Sequence, residues 1–193
     1  MNKKLIFTAI AATLASIPTF AALSTGDSAP DFKAQASLAG KEFSYSLKNA
    51  LKKGPVVVYF YPSAYTQGCN IQAHTFSENH EKFAAAGASI VGVSLDRIDT
   101  LNKFSADPDY CAGKLPVASD ADGKIAQAYQ LKVTAGQAGE KNTRGEEIGH
   151  GYAERTTFIV LPDGKIAATI GGVSPKQNVE KALEAVQHLG KSG

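Results

Sequence analysis

A continuous apolar run from Pro55 to Tyr61, rich in β-branched and aromatic residues, constrains this chain more than any other feature. A short run of that kind reads as a central strand covered on both faces. A strand buried twice needs helices on either side, and the following text supplies helical patterns. Residues 70–86 read as a helix with Ile71, Phe76, Phe83 and Ala84 as an imperfect apolar stripe. Ala88 to Leu95 is a second buried strand, and 97–106 is helical until Asp107, Pro108 and Asp109 break the pattern. Leu115 to Ala118 is extended. Asp120 to Gly123 turns into a short helix over Lys124 to Leu131. Residues 132–152 are polar and Gly-rich and read as a long loop. Arg155 to Leu161 and Lys165 to Ile170 form a hairpin around Pro162, Asp163 and Gly164. A last helix from Pro175 to Leu189 carries Val179, Leu183 and Val186 on one face, with Ser174 as its N-cap. Ser24 to Gly40, broken by Gly26, Pro30 and Gly40, reads as a lead-in. Strands alternate with helices and end in a hairpin and a helix, so the fold class is α/β with a central mixed sheet flanked by helices. No repeat or second domain is visible.

Residues 1–22 have the form of an export signal. Lys3 and Lys4 precede an apolar stretch, Leu5 to Ile17, too short to span a bilayer comfortably. Small residues at Ala21 and Ala22 suit cleavage, leaving a mature domain over 23–193. The alternative is an uncleaved anchor. Export to a bacterial periplasm fits this start best. The formal net charge of +2 comes entirely from Lys3 and Lys4, so the remaining chain is near neutral. No basic block argues for nucleic acid. His74, His80, His150 and His188 are scattered and suggest no metal site, and no glycine loop suggests a phosphate cofactor.

The chain has 2 cysteines, Cys69 and Cys111. In an exported protein a pair can form a structural disulfide, and a bridge over so long a loop would stabilise by roughly 3–4 kcal/mol. A domain of this size can bury an adequate core without one. Cys69 lies where the first apolar strand passes into a helix. Unpaired amide groups and the helix dipole favour an anion there, and the thiolate is the nucleophilic form of cysteine. Thr66 and Pro62 stand just upstream.

Pro62, Thr66 and Cys69 fit the Pro-x-x-x-Thr-x-x-Cys motif of peroxiredoxins. The surrounding segments resemble the bacterioferritin-comigratory, or peroxiredoxin Q, branch: Ala29 to Phe32, Ile90 to Asp96, Leu115 to Asp120, and Arg155 to Gly164. The similarity spans about residues 25–189. It implies a thioredoxin-like fold and thiol-dependent reduction of hydrogen peroxide and organic hydroperoxides.

On that resemblance, Cys69 is the peroxidatic cysteine, oxidised to a sulfenic acid. Arg155 stabilises thiolate and transition state, Thr66 hydrogen-bonds at the site, and Pro62 shields the sulfur. Tyr65 is assigned packing alone, and Gln72 a hydrogen bond that steadies the loop. Many members of the branch carry a second cysteine five residues after the first; here that position is His74, read as a surface residue. Cys111 is then the intramolecular candidate for resolving the sulfenic acid, with reduction by a thioredoxin-like donor. An inert Cys111, with resolution by an external thiol, is the alternative. The resemblance also implies a monomer without metal or cofactor. A thiol–disulfide oxidoreductase would want a cysteine at position 72, which is Gln. A non-enzymatic domain with a fixed disulfide is the remaining rival.

Overall fold

The computed structural model describes residues 21–190. The export signal read over 1–22 lies outside them but for its last two positions. In chain order the elements are β1 (Lys33–Leu38), β2 (Lys41–Ser46), α1 (Leu47–Leu51), β3 (Val56–Phe60), α2 (Gln67–Ala85), β4 (Ser89–Ser94) and α3 (Ile98–Ala106). Then come β5 (Val117–Ser119), α4 (Lys124–Ala128), β6 (Val133–Thr134), β7 (Tyr152–Ala153), β8 (Thr156–Val160), β9 (Ile166–Gly171) and α5 (Pro175–Leu189).

The apolar run becomes β3, and every residue of it is buried. Because side chains alternate along a strand, it feeds two cores. Val57 and Tyr59 join Phe76, Phe83, Leu101, Phe104 and Val179 under α2, α3 and α5. Val56, Val58 and Phe60 join Leu47, Val91, Ala126 and Phe158 on the side of α1 and α4. One seven-stranded sheet separates these cores, in the order β2-β1-β5-β4-β3-β8-β9. β3, β4 and β5 run parallel, while β8 lies antiparallel to β3 and to β9. The expected mixed sheet flanked by helices is what forms.

Three readings need correction. The lead-in over Ser24 to Gly40 contains β1, which pairs with both β2 and β5. Its signal was weak because few of its residues are large and apolar. Buried Ser37 is accommodated by its bond to Ser105 Oγ at 2.8 Å. The Cys69 helix starts at Gln67, three residues earlier than expected. Gly68, a poor helix former, hid that start. The loop over 132–152 is partly ordered, since β6 pairs with β7 at its two ends.

Tyr59 stacks on Phe76 at 4.5 Å and so ties β3 to the underside of α2. Gly92 on the neighbouring strand makes room for that ring: a Cβ there would lie 2.6 Å from Tyr59 Cζ. Gly92→Ala is expected to lower stability by about 2 kcal/mol through overpacking, measured by urea denaturation. An unchanged midpoint would show that the ring can move aside.

Candidate active site

The turn into α2 is built by Asp96 at the end of β4. Tyr61 still donates its N–H to Val93 O at 3.1 Å, but Pro62 has no N–H, and the ladder stops. Asp96, almost fully buried, then gathers the turn. It accepts Ala64 N–H at 2.7 Å, Ser63 Oγ at 3.1 Å and Ser94 Oγ at 2.7 Å. Tyr65 adopts a left-handed backbone at φ 59°, a conformation that costs a non-glycine side chain about 1–2 kcal/mol. Its price is offset by packing, because the ring is buried against Phe104 and Tyr110.

Thr66 is the N-cap of α2 by position, yet its hydroxyl makes no capping bond. It donates instead to Ser63 O at 2.8 Å. The first-turn N–H groups of α2 thus have neither an intrahelical partner nor a side-chain cap, and the first turn holds no acidic residue. Cys69 is the third residue of this helix and is 2% exposed.

Arg155 precedes β8 by one residue. The register pairs Thr156 with Phe60, so Arg155 leaves the sheet at the edge where α2 begins. Its Nη2 lies 3.3 Å from Cys69 Sγ, and its Nη1 donates to Gln72 Oε1. Gly68 permits this approach, since a Cβ there would stand 3.0 Å from Arg155 Nη2. The expected role of Gln72 is therefore corrected: it holds the guanidinium, not the loop. Gln72 in turn donates to Asn178 Oδ1 at 2.8 Å.

The structure joins Cys69 to Arg155 directly, and it sets Thr66 and Pro62 in the turn just before the cysteine. Cys111 stands apart. Both thiols are free. Cys111 lies in the turn after α3, fully buried. Burial pushes its thiol pKa far up, and Asp107 pushes it further. The two cysteines share one apolar cluster, and both act on the Tyr59 phenol, whose ionisation is suppressed first by burial, then by Cys111 and Cys69. His74 is exposed, its Nδ1–H donating to Asp109 O at 2.9 Å and its Nε2 3.4 Å from Glu78.

A strap over residues 142–151 fastens onto the turn before Cys69, through contacts that the sequence does not signal. Thr143 N and Oγ1 both donate to Tyr65 O at 2.7 Å. The Arg144 guanidinium lies 3.8 Å over the Tyr65 ring and pairs with Asp107. Tyr65, expected only to pack, is thus the anchor of the strap. His150 locks the far end: Nδ1 meets Gly151 O at 2.7 Å and Nε2 meets Asp96 Oδ1 at 2.9 Å. Both partners only accept, so both ring nitrogens carry protons in this geometry. A polar Gly-rich stretch carries no periodic signal, and a pairing over 54 positions leaves no local trace.

Burial opposes the charge on His150, but the hydrogen bond and charge of Asp96 outweigh it and the pKa is raised. A raised folded-state pKa gives stability that is complete below the unfolded value, about 6.5. It fades as pH rises through the folded value. The stability difference between wild type and His150→Gln, from denaturant melts, is therefore expected to be largest in mild acid and to shrink toward alkaline pH. A difference independent of pH would refute the charged pair.

Comparison with known proteins places this geometry. The AhpC/TSA family pattern matches residues 25–169. The chain is 31% identical over 136 residues to the peroxiredoxin Bcp of Bacillus subtilis, covering 69% of this chain and 78% of that one. Among solved structures it resembles the peroxidoxin BcpB of Mycobacterium tuberculosis, with a TM-score of 0.72, 30% identity, and coverage of 86% and 98% of the two chains. It also resembles the bacterioferritin comigratory protein of Xanthomonas campestris, described for its alkyl peroxide reduction activity, with a TM-score of 0.63, 27% identity, and coverage of 81% and 91%.

Proposed function

The chain belongs to the AhpC/TSA family and is a thiol-dependent peroxidase, and we propose that it reduces hydrogen peroxide and organic hydroperoxides through Cys69. The observation that carries the assignment is Arg155 Nη2 set 3.3 Å from Cys69 Sγ at an uncapped helix start. The thiolate attacks the terminal peroxide oxygen and the O–O bond breaks. The sulfur keeps that oxygen as a sulfenic acid, and the other leaves, with a proton, as water or an alcohol. Arg155 faces both the thiolate and the charge that develops on the oxygens. The Thr66 proton is directed at Ser63 O, so its oxygen is oriented to accept a hydrogen bond from the incoming peroxide. Pro62 brings no N–H and keeps its ring beside the turn.

Cys111 is the proposed resolving residue. Its thiol attacks the sulfenic sulfur, water leaves, and a Cys69–Cys111 disulfide forms for reduction by a thioredoxin-like dithiol. Support comes from the shared cluster and from the common neighbour, Tyr59. Both cysteines are buried and unbridged, and in the proposed cycle the first turn of α2 unwinds to bring the sulfurs into disulfide geometry. The hydroxyls of Tyr59 and Tyr65 are buried without hydrogen-bond partners, and at about 1–3 kcal/mol each they make this arrangement less costly to leave.

The same reading extends to the whole chain: residues 1–22 direct export to a bacterial periplasm and are removed, and the mature protein acts as a monomer. The signal-like text supports the first part. Support for the boundary comes from the packing of Leu23 onto the core and from the bond of Thr169 Oγ1 to Leu23 O at 2.7 Å.

Cys69→Ser is expected to abolish peroxide consumption with a dithiol donor, and full activity in that variant would refute the assignment. Arg155→Ala should slow Cys69 oxidation about a hundredfold, read by quenched alkylation and mass. Treatment with one equivalent of peroxide should give a 69–111 linkage in peptide maps. Stable sulfenic acid, or a disulfide-linked dimer, would exclude the intramolecular route.

A further inference from the structure

A chain of buried amides connects the last helix to the reacting sulfur. Asn178, near the start of α5, is fully buried. Its Nδ2 donates to the main-chain carbonyl of Ile170 in β9 at 2.9 Å. A carbonyl only accepts, so this bond decides which end of the Asn178 amide faces which way. Oδ1 is turned to the other side. There it accepts from Thr157 Oγ1 at 2.6 Å and from Gln72 Nε2 at 2.8 Å.

Gln72 is also fully buried, and its amide has the same two unlike ends. With Nε2 held by Asn178, Oε1 is presented to Arg155 Nη1. Were Gln72 turned over, its NH2 would face the guanidinium, donor against donor, and Arg155 Nη1 would lose the acceptor it has in Oε1. A carbonyl of β9 thus dictates, through two side-chain amides, that Arg155 is held by Nη1 and free to place Nη2 on Cys69 Sγ.

We propose that Asn178 is a positioning residue for the attack of Cys69 on peroxide. It touches none of the reacting atoms and acts through Gln72 and Arg155. The inference rests on Arg155 assisting Cys69, and its test separates the two.

Reduced protein is mixed with excess hydrogen peroxide and quenched with an alkylating reagent, and Cys69 oxidation is followed by mass. Asn178→Leu keeps the branched outline and the number of heavy atoms and removes both polar ends. Asn178→Asp keeps an acceptor for Gln72. The Leu variant is expected to oxidise about tenfold more slowly, the scale of one hydrogen bond. The Asp variant should stay within about threefold of wild type. On an Arg155→Ala background, Asn178→Leu should add less than about a twofold loss, because the group it positions is gone. A purely structural role would slow both backgrounds alike.

A folded Asn178→Leu protein with the wild-type rate overturns the proposal, and so does an undiminished tenfold loss on the Arg155→Ala background. If Arg155→Ala alone oxidises at the wild-type rate, the reading of Arg155 fails, and this inference with it. Should Asn178→Leu not fold, hydrogen exchange of the Gln72 side-chain amide in the labelled wild-type protein decides. Strong protection is expected, and exchange at the rate of a free glutamine overturns it.

Discussion

The antiparallel pairing of β8 with β3 decides what stands opposite the start of α2. The last pair in that register is Phe60 with Thr156, so Arg155 leaves the sheet at the edge where β3 gives way to the turn and the helix. Two positive features then converge on one sulfur: the amide end of a 19-residue helix and a guanidinium. No acidic residue in the first turn of α2 offsets them. Positive groups forced together in a buried place repel unless an anion lies between them. Cys69 Sγ is the group that the fold places there, and the transition state of the proposed peroxide attack spreads negative charge over neighbouring oxygens.

That convergence is kept rigid by contacts well outside the motif. Asp96 accepts two donors from the turn, one from its own strand and one from His150. It thereby binds β4, the cysteine turn and the strap into one unit. Arg144 does the same at the other end, bridging the Tyr65 ring and Asp107, and Asp107 opens the turn that carries Cys111. The strap therefore touches the segments of both cysteines. In the proposed cycle, any unwinding of α2 that brings Cys69 to Cys111 must disturb Tyr65 and hence the bonds from Thr143.

What the sequence made legible follows from the range of each interaction. β3 could be read because seven successive residues, Pro55 to Tyr61, carry its signal, and α5 because an N-cap, a proline and an apolar face agree. Cys69, Thr66 and Pro62 could be singled out because their spacing is local. Arg155 needed the resemblance, since nothing beside it in the chain shows what it faces. The positive φ of Tyr65, the clamp of His150 on Asp96 and the amide chain through Asn178 left no local trace. Each depends on which distant residue the fold delivers to a buried polar atom. β1 was missed for a related reason: its place is set by partners on both sides rather than by its own apolar content.

The two cysteines sit in one core in unlike electrostatic surroundings. Cys111 has no cation in contact among the described interactions; burial and Asp107 both disfavour its charged form, so it rests as a neutral thiol. Cys69 is nearly as buried but has a guanidinium against its sulfur. Peroxide reacts with thiolate, not thiol, and in the proposed cycle the guanidinium against Cys69 Sγ favours attack by that sulfur. In that cycle Cys69 oxidises first, and Cys111 reacts once the core around it opens. In the proposed cycle, movement of the first turn of α2 away from the aromatic cluster of Tyr65, Phe104 and Tyr110 opens the core that Cys111 shares. In that cycle the event that brings the sulfurs together also relieves the burial that disfavours the charged form of Cys111.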